Sequence, residues 1–321
     1  MKIKILFHNN CFDGVASAAV FASFYRQCID NNAKQEFEGL AHKAGQIFDE
    51  KIFTGDENAI VDFKYCSSPR LTWWFDHHQS AFLSKEDEDH FHQSLQGISC
   101  GKKFHDPTFR SCTKYIAQVA HEKFGFDTSN LEELIEWADI IDGALYPDAK
   151  TAVELNAPAL KLMLVIESAR DEKLIANIIR DLQTLSLQQV ASQGYVTEII
   201  DYYYNRHLKA IDIIKDAAVC NGNVVHFDVS GHDMEGYSKF IPYYLFPDAL
   251  YSVGVSLSSF RSKVSVGFNP WAKGARRHNL ASICERFGGG GHPVVGAISF
   301  SPKELEQARS VANTIVTELN S

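Results

Sequence analysis

The sequence predicts an α/β chain in two domains. Three observations carry that expectation. The N-terminus opens as strand, polar loop and helix, the start of a βαβ unit. Three short apolar strands each deliver acid or imidazole groups near their C-terminal ends. After about residue 215 the composition changes from helical patterning to β-branched alternation, and 321 residues favour two domains over one.

Residues 2–7 read as an apolar strand running into His8, Asn9, Asn10, Cys11, Phe12, Asp13 and Gly14. Residues 15–29, rich in Ala, Val and Phe, read as a helix packed on a sheet. Residues 59–63 form a second apolar strand with Asp62 near its end, and 71–75 a third that ends at Asp76, His77 and His78. A carboxylate and two imidazoles at the edge of a sheet sit where open α/β sheets bind ligands, and together they suit Mn, Fe, Zn or Co. A hydrogen-bonded turn with two neighbouring histidines is the plain alternative.

Residues 84–110 are polar, with acids at 86–89 and histidines at 90, 92 and 105; they read as a solvated loop, not a metal cluster. Residues 111–124 read as an amphipathic helix capped by Ser111. Residues 131–141 read as another, carrying Asp139 and Asp142 three apart on one face. These two acids are either part of a half-buried site or surface acids beside an apolar turn. From 158 to 214 the pattern is helical, broken at Gly194, and Tyr202, Tyr203 and Tyr204 are expected in core and rim packing. The expected division is 1–187 for the first domain, 188–215 for a connecting helix and 216–321 for the second domain. In the second domain, Val219, 223–229, 251–258, 263–268 and 294–300 read as strands.

Forty acids against 31 Lys and Arg leave a formal net charge of −9. That does not suit long duplex nucleic acid, whose binders show a basic surface. Between residues 261 and 286, however, six basic residues (Arg261, Lys263, Lys273, Arg276, Arg277 and Arg286) meet one acid, Glu285. Gly288, Gly289, Gly290, Gly291 and His292 follow. Such a run lets backbone N–H groups approach an anion, although a flexible turn has the same composition. Seven cysteines with no C-x-x-C pair argue for a reducing compartment and against a disulfide framework. With no signal peptide and no apolar stretch of membrane-spanning length, the expected location is cytoplasmic, with no membrane partner.

Five motifs, in order, resemble the DHH phosphoesterases that carry a C-terminal DHHA1 domain. They are His8 with Asp13 and Gly14; Val61, Asp62 and Phe63; Asp76, His77 and His78; Ala138 and Asp139; and Gly288 to His292. The resemblance spans nearly the whole chain. It implies a parallel-sheet DHH domain and a smaller mixed-sheet DHHA1 domain, with the active-site cleft between them. It also implies hydrolysis of phosphodiester or phosphoanhydride bonds with two Mn2+ ions, Co2+ or Mg2+ being substitutes. By position, Asp62 would bridge both ions and His8 would serve one. Asp13, His77 and Asp139 would serve the other, with Asp142 the fallback for Asp139. His78 would face the scissile phosphate and Asp76 would orient the neighbouring imidazole. Arg261 and the glycine run with His292 would hold a terminal phosphate or base.

The chain departs from the family at one place. A further aspartate falls two or three residues before the position of Asp13, where this sequence has Cys11 and Asn10. Asn10 could ligate through its amide oxygen and Cys11 through a thiolate. The first metal site is therefore expected to be weaker, differently selective or empty.

The expected substrates are short oligoribonucleotides or linear dinucleotides, and a homodimer is compatible with the family. Adenosine 3′,5′-bisphosphate and polyphosphate are the alternative substrates. A nucleotide-binding protein with an impaired metal site is the alternative class.

Overall fold

The computed structural model describes residues 1–42, 48–95, 101–232, 234 and 236–321. Two compact units divide the chain: Met1–Tyr146 with Asn156–Ile200, and Pro147–Leu155 with Asp201–Ser321.

In the first unit the order is β1 (Lys2–His8), α1 (Phe12–Cys28), β2 (Lys34–Leu40), β3 (Glu57–Val61), β4 (Trp73–Asp76), α2 (Lys85–Ser94), β5 (Lys103–His105), α3 (Cys112–Phe124) and α4 (Glu132–Asp142). After α5 (Ala149–Glu154), which groups with the second unit, come α6 (Pro158–Ser168), α7 (Glu172–Leu182) and α8 (Leu187–Ala191). Helix α9 (Gly194–Ala217) carries the chain onward. The five strands form a sheet of order β2-β1-β3-β4-β5, and every pairing is parallel. Strand order reverses between β1 and β3, and such a switch point opens a crevice at the carboxyl ends of the strands.

A parallel sheet must be covered on both faces, and β4 shows how. On one face Trp73 and Phe75 pack edge-on against Phe21 of α1, at 5.8 and 5.9 Å between ring centroids. On the other, Trp74 meets Tyr65 at 4.8 Å and Phe91 at 5.1 Å. Both tryptophans are fully buried, each worth roughly 2–3 kcal/mol of apolar transfer. Helix α1 can lie this close because residue 14 is glycine: a Cβ there would stand 2.1 Å from the His8 carbonyl oxygen.

Two expectations change. Residues 85–94 and 103–105 are not loop but α2 and β5; positions 96–100 lie outside the described residues. The acidic run is the first turn of a capped helix. Ser84 Oγ accepts from the Asp87 N–H at 3.2 Å, acids at a helix N-terminus are favourable, and buried Phe91 anchors the helix on Trp74. The histidines of this segment have separate partners: His90 Nδ1 lies 2.9 Å from the Tyr65 hydroxyl, and His105 stacks on Trp74. Among the tyrosines, Tyr202 is 68% exposed and packs in no core. Strand β2 escaped the pattern because KQEFEGL has no apolar run; parallel pairing with β1 makes it a strand.

The second unit adds β6 (Val219–Asn221), β7 (Val224–Asp228), α10 (Ile241–Leu245), β8 (Tyr251–Leu257), β9 (Ser262–Phe268), α11 (Leu280–Glu285), β10 (Gly290–His292), β11 (Val295–Phe300) and α12 (Leu305–Leu319). Its sheet runs β10-β11-β9-β8-β7-β6. The sheet is mixed, with β7–β8 parallel and the other pairings antiparallel. Val253, Val255, Val264 and Val266 pack with Ala308, Ala312 and Ile315 of α12 to form its core. No helix among the described residues is long and apolar enough to cross a membrane.

Gly14→Ala is expected to destabilise the chain by about 1–3 kcal/mol, the scale of an overpacked core. A urea midpoint unchanged from wild type would show that α1 can move away from β1 at no cost.

Candidate metal centre

Three strand ends and two helices bring the site together. His8 ends β1, Asp62 follows β3, and Asp76 ends β4 just ahead of His77 and His78. Asp13 lies in the first turn of α1 and Asp142 is the last residue of α4. Asp62 sits at φ 55°, a left-handed conformation that aspartate tolerates better than most residues. Its N–H still continues the ladder to the Phe75 carbonyl at 2.9 Å.

Asp62 is 1% exposed and faces three imidazoles. His8 Nδ1 lies 3.4 Å from its Oδ2, while His77 Nε2 and His78 Nδ1 lie 3.4 and 3.8 Å from its Oδ1. His77 Nε2 is also 3.7 Å from Asp13 Oδ2 and 3.5 Å from Asp142 Oδ2. None of these approaches is a hydrogen bond. Six buried side-chain polar atoms among the described residues lack a hydrogen-bond partner. Five of them belong to this site: His8 Nδ1, both Asp62 oxygens, Asp76 Oδ2 and His77 Nε2. Buried polar groups are almost always paired, and these converging bare donor atoms could hold a cation. Imidazole and carboxylate donors fit a borderline divalent ion.

The surroundings aim the ligands. His77 Nδ1–H donates to the Phe109 carbonyl at 3.1 Å, which turns Nε2 toward the carboxylates. Asp76 Oδ1 accepts from the backbone N–H groups of His77 and His78 at 2.8 and 3.3 Å and from His78 Nδ1 at 2.7 Å. Asp13 accepts from Cys112 N–H at 2.7 Å and Thr113 N–H at 3.0 Å, at the start of α3. A carboxylate oxygen has a second lone pair, so Asp13 Oδ2 can still serve an ion.

Charge is strongly coupled here. Burial works against ionisation of Asp62, but His77, His8 and His78 hold it down to about 2. Burial likewise opposes charge on His77, yet Asp62, Asp13 and Asp142 push it up to about 10. Burial and then the Asp62 charge lift Asp142 to about 6. His78 is raised by Asp76 and Asp62 against the effect of burial.

The sequence-derived residues do not all meet. His8, Asp13, Asp62, His77, His78 and Asp142 converge, with Asp76 behind them. Asp139, the first choice over Asp142, turns away: Lys114 Nζ binds its Oδ2 at 2.7 Å and Ser111 Oγ donates to its Oδ1 at 3.3 Å. Asn10 has its amide nitrogen held by the C-terminal end of α6. Its amide donates to the Ala169 carbonyl at 2.8 Å and the Ile166 carbonyl at 3.4 Å, whereas Cys11 groups with His8 and Asp62. Sequence reading missed His42, which stacks on Phe63 at 4.5 Å and meets His8 edge-on at 4.8 Å. It follows the overlooked strand β2.

In the second unit the glycines have structural work. Gly288, at φ 77°, follows α11 as a left-handed C-terminal stop, and Gly289 N–H donates to the Cys284 carbonyl at 2.9 Å. A Cβ on Gly289 would stand 2.3 Å from the Ala297 oxygen, and one on Gly291 2.2 Å from the Val295 oxygen. Only Gly290 in this run faces open space without a positive φ. Arg261 Nη1 binds Ser299 Oγ at 3.2 Å, while His292 pairs with Val295. The two contacts lie four residues apart along β11, about 13 Å. Arg261 and His292 therefore serve opposite ends of the strand, not one loop.

No family model matches the sequence, and no curated protein sequence does. Solved structures do match. PggH, a pGpG-specific phosphodiesterase from Vibrio cholerae, is 16% identical with a TM-score of 0.70, over 100% of this chain and 99% of that one. A DHH-domain structure, described as belonging to a family of ribosomal proteins, is 14% identical with a TM-score of 0.61, over 100% and 87%. RecJ from Thermus thermophilus, in complex with Mg2+, is 11% identical with a TM-score of 0.53, over 99% of this chain and 50% of that one.

Two outcomes test the site. Mn2+ binding at pH 7 should release a proton, because His77 must give its up while Asp142, at about 6, is already mostly ionised, and affinity should rise with pH toward the His77 value of about 10. Calorimetry at pH 7 in two buffers of different ionisation enthalpy would read this; identical heats would refute it. Asp142→Asn should weaken Mn2+ binding by about tenfold or more, whereas Asp139→Asn should leave it unchanged. Equal losses in the two variants would show that Asp139 also faces the ion.

In fold, the chain is similar to these solved structures, a DHH-domain structure among them.

Proposed function

We propose that the chain is a divalent-metal-dependent phosphoesterase that hydrolyses short phosphorylated nucleotides, with linear dinucleotides and very short oligoribonucleotides as the favoured class. The convergence of bare, buried donor atoms on one point carries this reading. The similarity in fold to a pGpG-specific phosphodiesterase and to RecJ supports it. Mn2+ is the favoured ion, and the cytoplasm the favoured location.

When bound, divalent ions would supply a more acidic water and compensate phosphate charge. His8, Asp62, His77, Asp13 and Asp142 would hold them, with Cys11 adjoining. The remaining groups act directly on substrate. His78 has a side chain 40% exposed, and its Nδ1–H is committed to Asp76. That leaves Nε2 to meet a phosphate oxygen or deliver a proton to the leaving oxygen. Asp76 fixes the tautomer and plane of that ring as a positioning residue. In the second unit Arg261 and His292 are the residues proposed to hold a terminal phosphate or base.

The test is a Mn2+ assay across pGpG, pApA, longer oligoribonucleotides, adenosine 3′,5′-bisphosphate and polyphosphate. Turnover confined to polyphosphate, or absent throughout with metal bound, would reject the reading. Asp62→Ala should abolish turnover and lower bound metal, and full activity in that variant would put the site elsewhere. His292→Ala and Arg261→Ala should each lower kcat/KM by about 1.5–3 kcal/mol, the scale of a charge-assisted hydrogen bond. Metal content should stay at the wild-type level; a stripped metal would contradict the division of labour.

A further inference from the structure

Residue 11 sits at the junction of β1 and α1, where a serine, threonine or aspartate would ordinarily cap the helix. Cys11 occupies the cap position of α1 in extended conformation, and its side chain makes no capping hydrogen bond. Its sulfur lies instead with His8 and Asp62: one ligand atom from each of the three falls within 4.8 Å of the others. Two of those partners are already bare. His8 Nδ1 and both Asp62 oxygens lack hydrogen-bond partners, and Asp62 is 1% exposed. The neighbouring Asn10 has its amide nitrogen held by the Ile166 and Ala169 carbonyls.

We propose that Cys11 is a metal ligand, and that its thiolate with His8 and Asp62 makes one position of the centre thiophilic, favouring Co2+, Zn2+ or Fe2+ over Mg2+. The inference rests on the metal-centre reading above and adds the donor set. The exchange balances without any redox partner: the Sγ–H bond breaks, an Sγ–metal bond forms, and the proton leaves to solvent. Thiolate is the soft donor of the set, and soft donors discriminate against Mg2+, which prefers oxygen.

The experiment is a Co2+ titration of the full chain after chelator treatment, read by absorption. Wild type should develop the near-ultraviolet thiolate-to-cobalt charge-transfer band together with the visible cobalt bands. Cys11→Asp should keep the visible bands and lose the charge-transfer band. Cys220→Ser, which removes an exposed thiol, should keep both. In competition, Cys11→Asp should shift the Mg2+/Co2+ preference toward Mg2+ by about tenfold or more. Cys11→Ser, with circular dichroism to confirm its fold, should also lose the charge-transfer band. Visible cobalt bands in wild type without the charge-transfer band, or a band that survives both Cys11 variants, would overturn the proposal while leaving the metal centre standing. No cobalt binding by wild type would overturn both.

Discussion

The carboxylate of Asp62 is buried, charged and without a hydrogen bond, and the rest of the first unit is arranged to make that tolerable. An uncompensated buried charge costs several kcal/mol, and the left-handed backbone at Asp62 adds a cost of about 1–3 kcal/mol. The His8, His77 and His78 rings at 3.4 to 3.8 Å offset part of this. His77 is pushed well above the ordinary imidazole range by the carboxylates around it. A chain that concentrates Asp13, Asp62 and Asp142 around one imidazole nitrogen is strained as a protein and well suited as a cation trap.

The scaffold makes this arrangement rigid. Strand order reverses between β1 and β3, the place where open α/β sheets bind their ligands. Gly14 lets α1 close onto His8. Asp13 is clamped by two N–H groups of α3, and Asp76 gathers the backbone and side chain of the residues after β4 onto one oxygen. Ligands built on strand ends and helix termini are held more precisely than ligands on free loops.

The second unit follows a different logic. Its glycine run ends a helix, permits close strand pairing and leaves one position open. The composition that suggests a phosphate cradle is largely accounted for by backbone packing. Arg261 meets β11 near one end and His292 pairs at the other.

The sequence by itself determined the α/β class, the strands bearing His8, Asp62 and Asp76, and the candidate donors, because apolar runs and residue types are local properties. Helices α1, α3 and α4 were legible for the same reason. It could not choose between Asp139 and Asp142 or between Asn10 and Cys11, since each pair sits within a turn and differs only in what lies opposite. Lys114 claims Asp139, and the end of α6 claims Asn10; both partners are distant in sequence. Nor could it reveal α2 and β2, whose polar residues become helix and strand through Phe91 packing on Trp74 and through pairing with β1. Tertiary structure decided these points because they depend on which groups find partners across the fold, and a bare donor is recognised only once every neighbour is in place.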